Sequence, residues 1–92
     1  MSNDVDAILD ERGTRYGQFK DVALVIQRLK QEIRMGLLLQ SKILDVDQQE
    51  ALDMICNKIG RIVNGDPNYV DSWVDIAGYA KLVADRLEGK AR

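Results

Sequence analysis

The chain has 92 residues and a mass of 10.4 kDa, room for one domain with a single core, and a chain this short gains by oligomerising. Hydrophobic residues make up 46% and charged ones 30%, and 13 Lys plus Arg against 15 Asp plus Glu leave a formal charge of −2, so no general electrostatic grip on DNA or RNA is expected. With no histidine and one cysteine, Cys56, the chain has no imidazole base or ligand, no internal disulfide and no Cys-based zinc site.

A short first helix fits Val5 to Arg12, with Asn3 or Asp4 as its cap and Gly13 just past its end. Gly13-Thr14-Arg15-Tyr16-Gly17 then reads as a turn that carries one aromatic ring and basic neighbours. A long second helix follows from about Gln18 to Leu39. Its stripe is Phe19, Val22, Ala23, Ile26, Leu29, Ile33 and Leu37. Leu24, Val25, Leu38 and Leu39 fall outside that stripe. So much extra apolar surface points to a second copy of the chain, or else to a break near Gly36 that folds the segment back onto its own core.

The third helix opens at Asp47, three residues before Glu50, an approximate capping box. Leu52, Ile55, Cys56, Ile59, Ile62 and Val63 form its apolar arc, and Asn64-Gly65 stops it. Cys56 lies in the middle of that arc and reads as a buried small hydrophobe. After the turn-rich Asn64–Tyr69 connection, the last helix opens at Asp71 or Ser72, with Asp75 completing an S-x-x-D box. Its stripe is Trp73, Ile76, Ala77, Ala80, Val83, Ala84 and Leu87, and Gly89 ends it. The alanines, Gly60 and Gly78 permit close helix approach. The pattern predicts a single all-α domain over 1–92, a compact bundle of about four helices that oligomerises.

Nothing resembles a secretory leader, since Met1-Ser2-Asn3-Asp4 is polar and acidic. The apolar runs are too short to span a bilayer. A soluble protein of the cytoplasm, without membrane contact, is expected.

Candidate chemistry sits at the edges of the apolar arcs. Glu50 and Asp53 share a face of the third helix, with Asn57 and Arg61 following at four-residue steps. Asp71, Asp75, Tyr79 and Arg86 line the last helix. An antiparallel pairing of these two helices brings Lys58 or Arg61 near Asp71 and Asp75, and leaves Glu50 and Asp53 nearer the far end. Carboxylates at this spacing can hold Mg²⁺, and Lys58 and Arg61 can neutralise a phosphate. Acids in a first helical turn and bases in a last one are equally explained by the helix dipole. Tyr16, Tyr69 and Tyr79 can stack on a base or serve as half-buried packing.

Three segments, R-G-T-R-Y-G-Q-F at 12–19, the helix from Glu50 to Ile62, and N-G-D-P at 64–67 with D-S-W-V-D-I-A-G-Y at 71–79, resemble a family of small proteins encoded by tailed phages and prophages and filed as a domain of unknown function. The same layout is more distantly similar to the all-α nucleoside triphosphate pyrophosphatases of the MazG type. That resemblance implies a helical oligomer in which E-E-x-x-E and E-x-x-D helices hold Mg²⁺ around a nucleotide phosphate chain. Glu50 and Asp53 match the E-x-x-D spacing, and Asp71 and Asp75 equally fit its place. The long helix offers only Asp21 and Glu32 for the other half.

The resulting expectation is a nucleotide-binding protein with a degenerate MazG-like site: metal ligands Glu50, Asp53, Asp71 and Asp75, ligand contacts Tyr16, Lys58, Arg61 and Tyr79, and Mg²⁺ as cofactor. The alternatives are an interaction protein that engages a host protein, and a working Mg²⁺-dependent pyrophosphatase completed by another subunit.

Overall fold

The computed structural model describes residues 3–92, the side chains from Asp4 onward, and shows four helices: α1 (Asn3–Tyr16), α2 (Phe19–Leu39), α3 (Val46–Asn64) and α4 (Val70–Leu87). Asp4 lies inside the first turn of α1 and does not cap it. The Asn3 side chain, the other expected cap, lies outside the described residues.

The turn expected at 13–17 is instead the last turn of α1. Gly13 costs a helix about 1 kcal/mol relative to alanine, yet the helix carries through it. The Thr14 hydroxyl donates to Glu11 O at 2.7 Å, and Arg15 pairs with Glu11 at 3.1 Å, one helical turn away. The chain breaks at Gly17, whose φ of +88° is open to glycine at little cost. α2 then runs unbroken past Gly36, so the alternative of a fold-back there does not occur. It ends in a Schellman pair, with Ser41 N–H donating to Leu38 O at 3.1 Å and Lys42 N–H to Leu37 O at 2.9 Å.

α3 starts earlier than its sequence suggests. Asp45 is the N-cap, and its N–H donates to Gln48 Oε1 at 2.9 Å as one half of a capping box. Asp47 and Glu50 are not the box, because the Asp47 carboxylate is taken by Arg86 of α4. α4 likewise starts at Val70 behind Tyr69. Ser72 is buried in the first turn and is not a cap. Gly89, at φ +87°, closes α4 with a second Schellman pair, in which Lys90 N–H reaches Asp85 O at 2.8 Å.

α3 is the centre of the fold. It packs on α2 along one side and on α4 along another, while α1 leans on α3 and α2. α4 touches α3 alone. At the α2–α3 crossing a Cβ on Gly60 would lie 2.6 Å from Ile26 Cγ1, so only glycine allows that approach. Gly78 faces open space and permits no comparable contact. Val22, Ala51, Cys56 and Ile62 form the buried apolar centre, where burial raises the Cys56 thiol pKa and keeps it protonated.

The stripe expected on α4 is split. Ser72, Ile76, Tyr79 and Val83 form its less exposed edge, whereas Trp73, Ala77, Ala80, Ala84 and Leu87 are exposed. The radius of gyration is 15.6 Å, against about 12 Å for a compact chain of this length. The four helices pack together around α3, more loosely than the compact bundle that the pattern predicts. Among the described residues no helix is long and apolar enough to cross a membrane.

Candidate functional site

Two glycines let the C-terminal ends of α1 and α3 abut. A side chain on Gly17 would overlap the Asn64 carbonyl, and one on Gly65 would overlap the Arg15–Tyr16 backbone. Asp66 N–H donates to Arg15 O at 2.6 Å across the joint. This close approach sets Arg15 and Tyr16 beside Arg61 from the last turn of α3 and Tyr69 from the α3–α4 loop.

Guanidinium groups and rings alternate in the resulting cluster. Arg15 Cζ lies 4.4 Å from the Tyr69 ring centroid and 5.9 Å from that of Tyr16, while Arg61 Cζ lies 4.6 Å from Tyr16. The two tyrosine rings meet edge to face, with centroids 6.1 Å apart and planes at 69°. Each such cation–ring contact is worth about 0.5–1 kcal/mol at a half-exposed site. The Tyr69 hydroxyl donates to Asp71 Oδ2 at 2.9 Å, and this bond raises the phenol pKa. Arg15 also holds Glu11. Among the described residues Arg61 has neither a carboxylate partner nor a side-chain hydrogen bond, so its planar fork of donors is available for a carboxylate or a phosphate.

Two of the four expected ligand contacts, Tyr16 and Arg61, thus come together. Lys58 goes elsewhere. It is nearly buried, and its Nζ lies 2.9 Å from Asp75 Oδ2, an ion pair that the antiparallel reading anticipates. Tyr79 sits on α4, ten residues beyond Tyr69 and about 15 Å along the helix. There it borders an open groove with Val74, Gly78 and Leu82.

The expected metal ligands do not converge. Asp71 is held by Tyr69 and Asp75 by Lys58. Asp53 accepts from Gln49 Nε2 at 3.2 Å, and Glu50 lies towards the other end of α4 beside Arg86. Among the described residues no three acidic or thiol side chains gather where a metal ion could sit. Within one chain the four expected ligands are thus spread over two separate pairs, Glu50 with Asp53 on α3 and Asp71 with Asp75 on α4.

Arg15 and Tyr69 complete the cluster; Tyr69 is one of the three tyrosines able to stack on a base, but neither residue is among the four expected ligand contacts. Their signal in the sequence is weak, because an Arg-Tyr neighbour pair acquires meaning only once two helix ends are docked. A family model covers residues 1–87, which takes in all four helices and the whole cluster. The chain belongs to DUF6378, a domain of unknown function. No curated protein and no solved structure is significantly similar to it. In this DUF6378 domain the joint, the arginine–tyrosine cluster and the α3–α4 ion pairs all fall within the matched span.

Proposed function

We propose that this DUF6378 domain binds a small anionic ligand with a flat ring, of the nucleotide type, at the cluster of Arg15, Tyr16, Arg61 and Tyr69. The observation that carries this reading is Arg61: a half-buried guanidinium, seated on a tyrosine ring, with no acid to balance it among the described residues. Tyrosine faces suit a base, and a guanidinium fork suits a phosphate. The role is binding without turnover, since each of Asp53, Asp71 and Asp75 already has a protein partner. A phage or prophage origin, a place in the host cytoplasm and a distant kinship with MazG-type proteins belong to the same proposal, supported by the 12–19 and 71–79 segments.

Calorimetric titration with adenosine mono-, di- and triphosphate, with and without Mg²⁺, tests it. The expected result is metal-independent binding that weakens about ten- to a hundredfold in Arg61→Ala, as for the loss of a charge-assisted bond of about 1.5–3 kcal/mol. Equal binding by Arg61→Ala, or no heat with any nucleotide, overturns the assignment.

A second reading, docking of another protein such as a host protein, is favoured by one patch. Leu38, Leu39, Ile43 and Val46 are 74%, 73%, 95% and 88% exposed where α2 turns into α3.

A further inference from the structure

α4 carries an apolar seam that no other described helix covers, and the Trp73 indole N–H at one end of it donates to Pro67 O in the α3–α4 loop at 2.8 Å. Val70, Trp73, Ala77, Ala80, Ala84 and Leu87 recur at alternating steps of three and four residues along the helix, and all six are exposed, Val70 by 65%, Trp73 by 54% and Leu87 by 59%. That is the a/d spacing of a coiled-coil seam, sustained from the first to the last turn of α4. It lies roughly a quarter-turn around the helix from the edge formed by Ser72, Ile76, Tyr79 and Val83, which α3 covers. Among the described residues no other helix reaches it, since α4 packs on α3 alone.

The surface area says how much is left uncovered. The chain exposes 6867 Å², whereas a compact monomer of this mass exposes about 5,400 Å². The surplus of about 1,500 Å² exceeds the roughly 800 Å² per partner of a standard stable interface. No large side chain is fully buried within the described part of the chain. A single copy therefore has half of its last helix's apolar stripe in water and too little core around the other half.

We infer that the α4 seam is covered by the α4 seam of a second copy of this chain, in an antiparallel pair about a two-fold axis. The order of large and small residues selects the direction. Antiparallel seams stack a positions on d positions, which sets Trp73 against Ala84 of the partner subunit, Val70 against Leu87 of the partner subunit, and Ala77 against Ala80 of the partner subunit. Trp73, the bulkiest side chain of the seam, then has a small residue opposite it, and Val70 with Leu87 closes each end of the contact. A parallel pair would stack Trp73 on its own copy beside three layers of alanine, which leaves a bulge and a gap. Antiparallel helices also bring opposite dipole ends together. A two-fold contact of this kind is closed, so it makes a dimer and does not propagate. The helix on which the sequence pattern concentrates spare apolar residues, α2, already has α3 along its stripe and offers at its end a patch without this periodicity.

Sedimentation equilibrium of the full chain over a dilution series, with the emission of Trp73 followed in parallel, tests the inference. Trp73 is the only tryptophan, so its emission reports on the seam without any variant. Expected are a mass of twice 10.4 kDa, a shift of Trp73 emission towards that of a solvated indole as the dimer dissociates, and collapse to one chain mass in Ala80→Glu with helix content retained. Leu38→Glu, on the α2 corner, should stay dimeric. The inference is overturned by a mass of one chain at every concentration, by a dimer that survives Ala80→Glu, by dissociation in Leu38→Glu in place of Ala80→Glu, or by Trp73 emission that ignores dissociation. If Ala80→Glu does not fold, the wild-type dilution series decides alone.

Discussion

Lys58 Nζ and Asp75 Oδ2 lie 2.9 Å apart, and eleven residues away along both helices Arg86 closes on Asp47, with Nε 2.8 Å from Oδ2. α3 contributes the acid at its start and the base near its end, and α4 does the same. Run antiparallel, the two helices clasp each other at both ends, about three turns apart. Charges that the helix dipole alone would explain thus also fix the pairing and register of α3 and α4.

The Lys58 side chain is 11% exposed and that of Asp75 45%, so the two partners should respond unequally to removal. Asp75→Ala leaves a nearly buried ammonium without its acceptor and should lower stability by about 1–2 kcal/mol once the exposure of Asp75 is allowed for. Lys58→Met keeps the stem and removes the charge, and should cost less than about 1 kcal/mol. Urea midpoints of the two variants check this; equal losses would mean that the ammonium is not held by Asp75.

The acid limb of stability should run through the same clasp. The Arg86 guanidinium, bonded to Asp47 and Asp45, holds the Asp47 carboxyl below the usual aspartate range, and Lys81 with Arg92 does the same for Asp85. Because these folded-state pKa values are depressed, their stabilisation is fully present above the ordinary aspartate value of about 3.9 and is lost as pH falls below it towards the folded-state values. Urea midpoints should therefore be level near neutrality and fall on acidification through that window, with a shallower fall in Arg86→Ala. A variant with an unchanged acid limb would disconnect Arg86 from it.

Gly13 and Gly17 look alike in the sequence and should behave oppositely. Gly13 is helical with open space around its missing side chain, so Gly13→Ala should stabilise by about 0.5–1 kcal/mol. Gly17 has φ +88° and would strike the Asn64 carbonyl, so Gly17→Ala should cost about 2 kcal/mol or more. Thermal melts of both variants at one pH suffice, and two changes of the same sign would overturn the account of the α1–α3 joint.

That pair also marks where the sequence stops being legible. Periodicity places all four helices, the stops at Asn64-Gly65 and Gly89, the burial of Cys56 and the Lys58–Asp75 contact, because these depend on spacing and on one short antiparallel connection. It misplaces the turn at 13–17 and the caps of α3 and α4, since local signals such as Asp47–Glu50 compete with tertiary partners such as Arg86. The α4 stripe reads as one core face because composition records which side chains are apolar and not which helix is there to cover them. The candidate cluster is half legible: Tyr16 and Arg61 show as edge residues, but Arg15 and Tyr69 become neighbours only through two glycines whose close approach has no periodic signature.

Ser41 is the only residue other than glycine with a positive φ among the described residues, at +50°, where it closes the Schellman pair after α2. The position wants glycine, as Gly89 supplies at the corresponding place after α4, and a left-handed non-glycine residue costs about 1–2 kcal/mol. Glycine gives part of this back by loosening the unfolded chain. Ser41→Gly should therefore raise stability by about 0.5–1 kcal/mol, read as a higher melting temperature with unchanged helix content. Ser41 is exposed and its side chain has no hydrogen bond among the described residues, so the substitution removes no contact that could mask the gain. A lower melting temperature would mean that the α2–α3 turn is not held in this conformation.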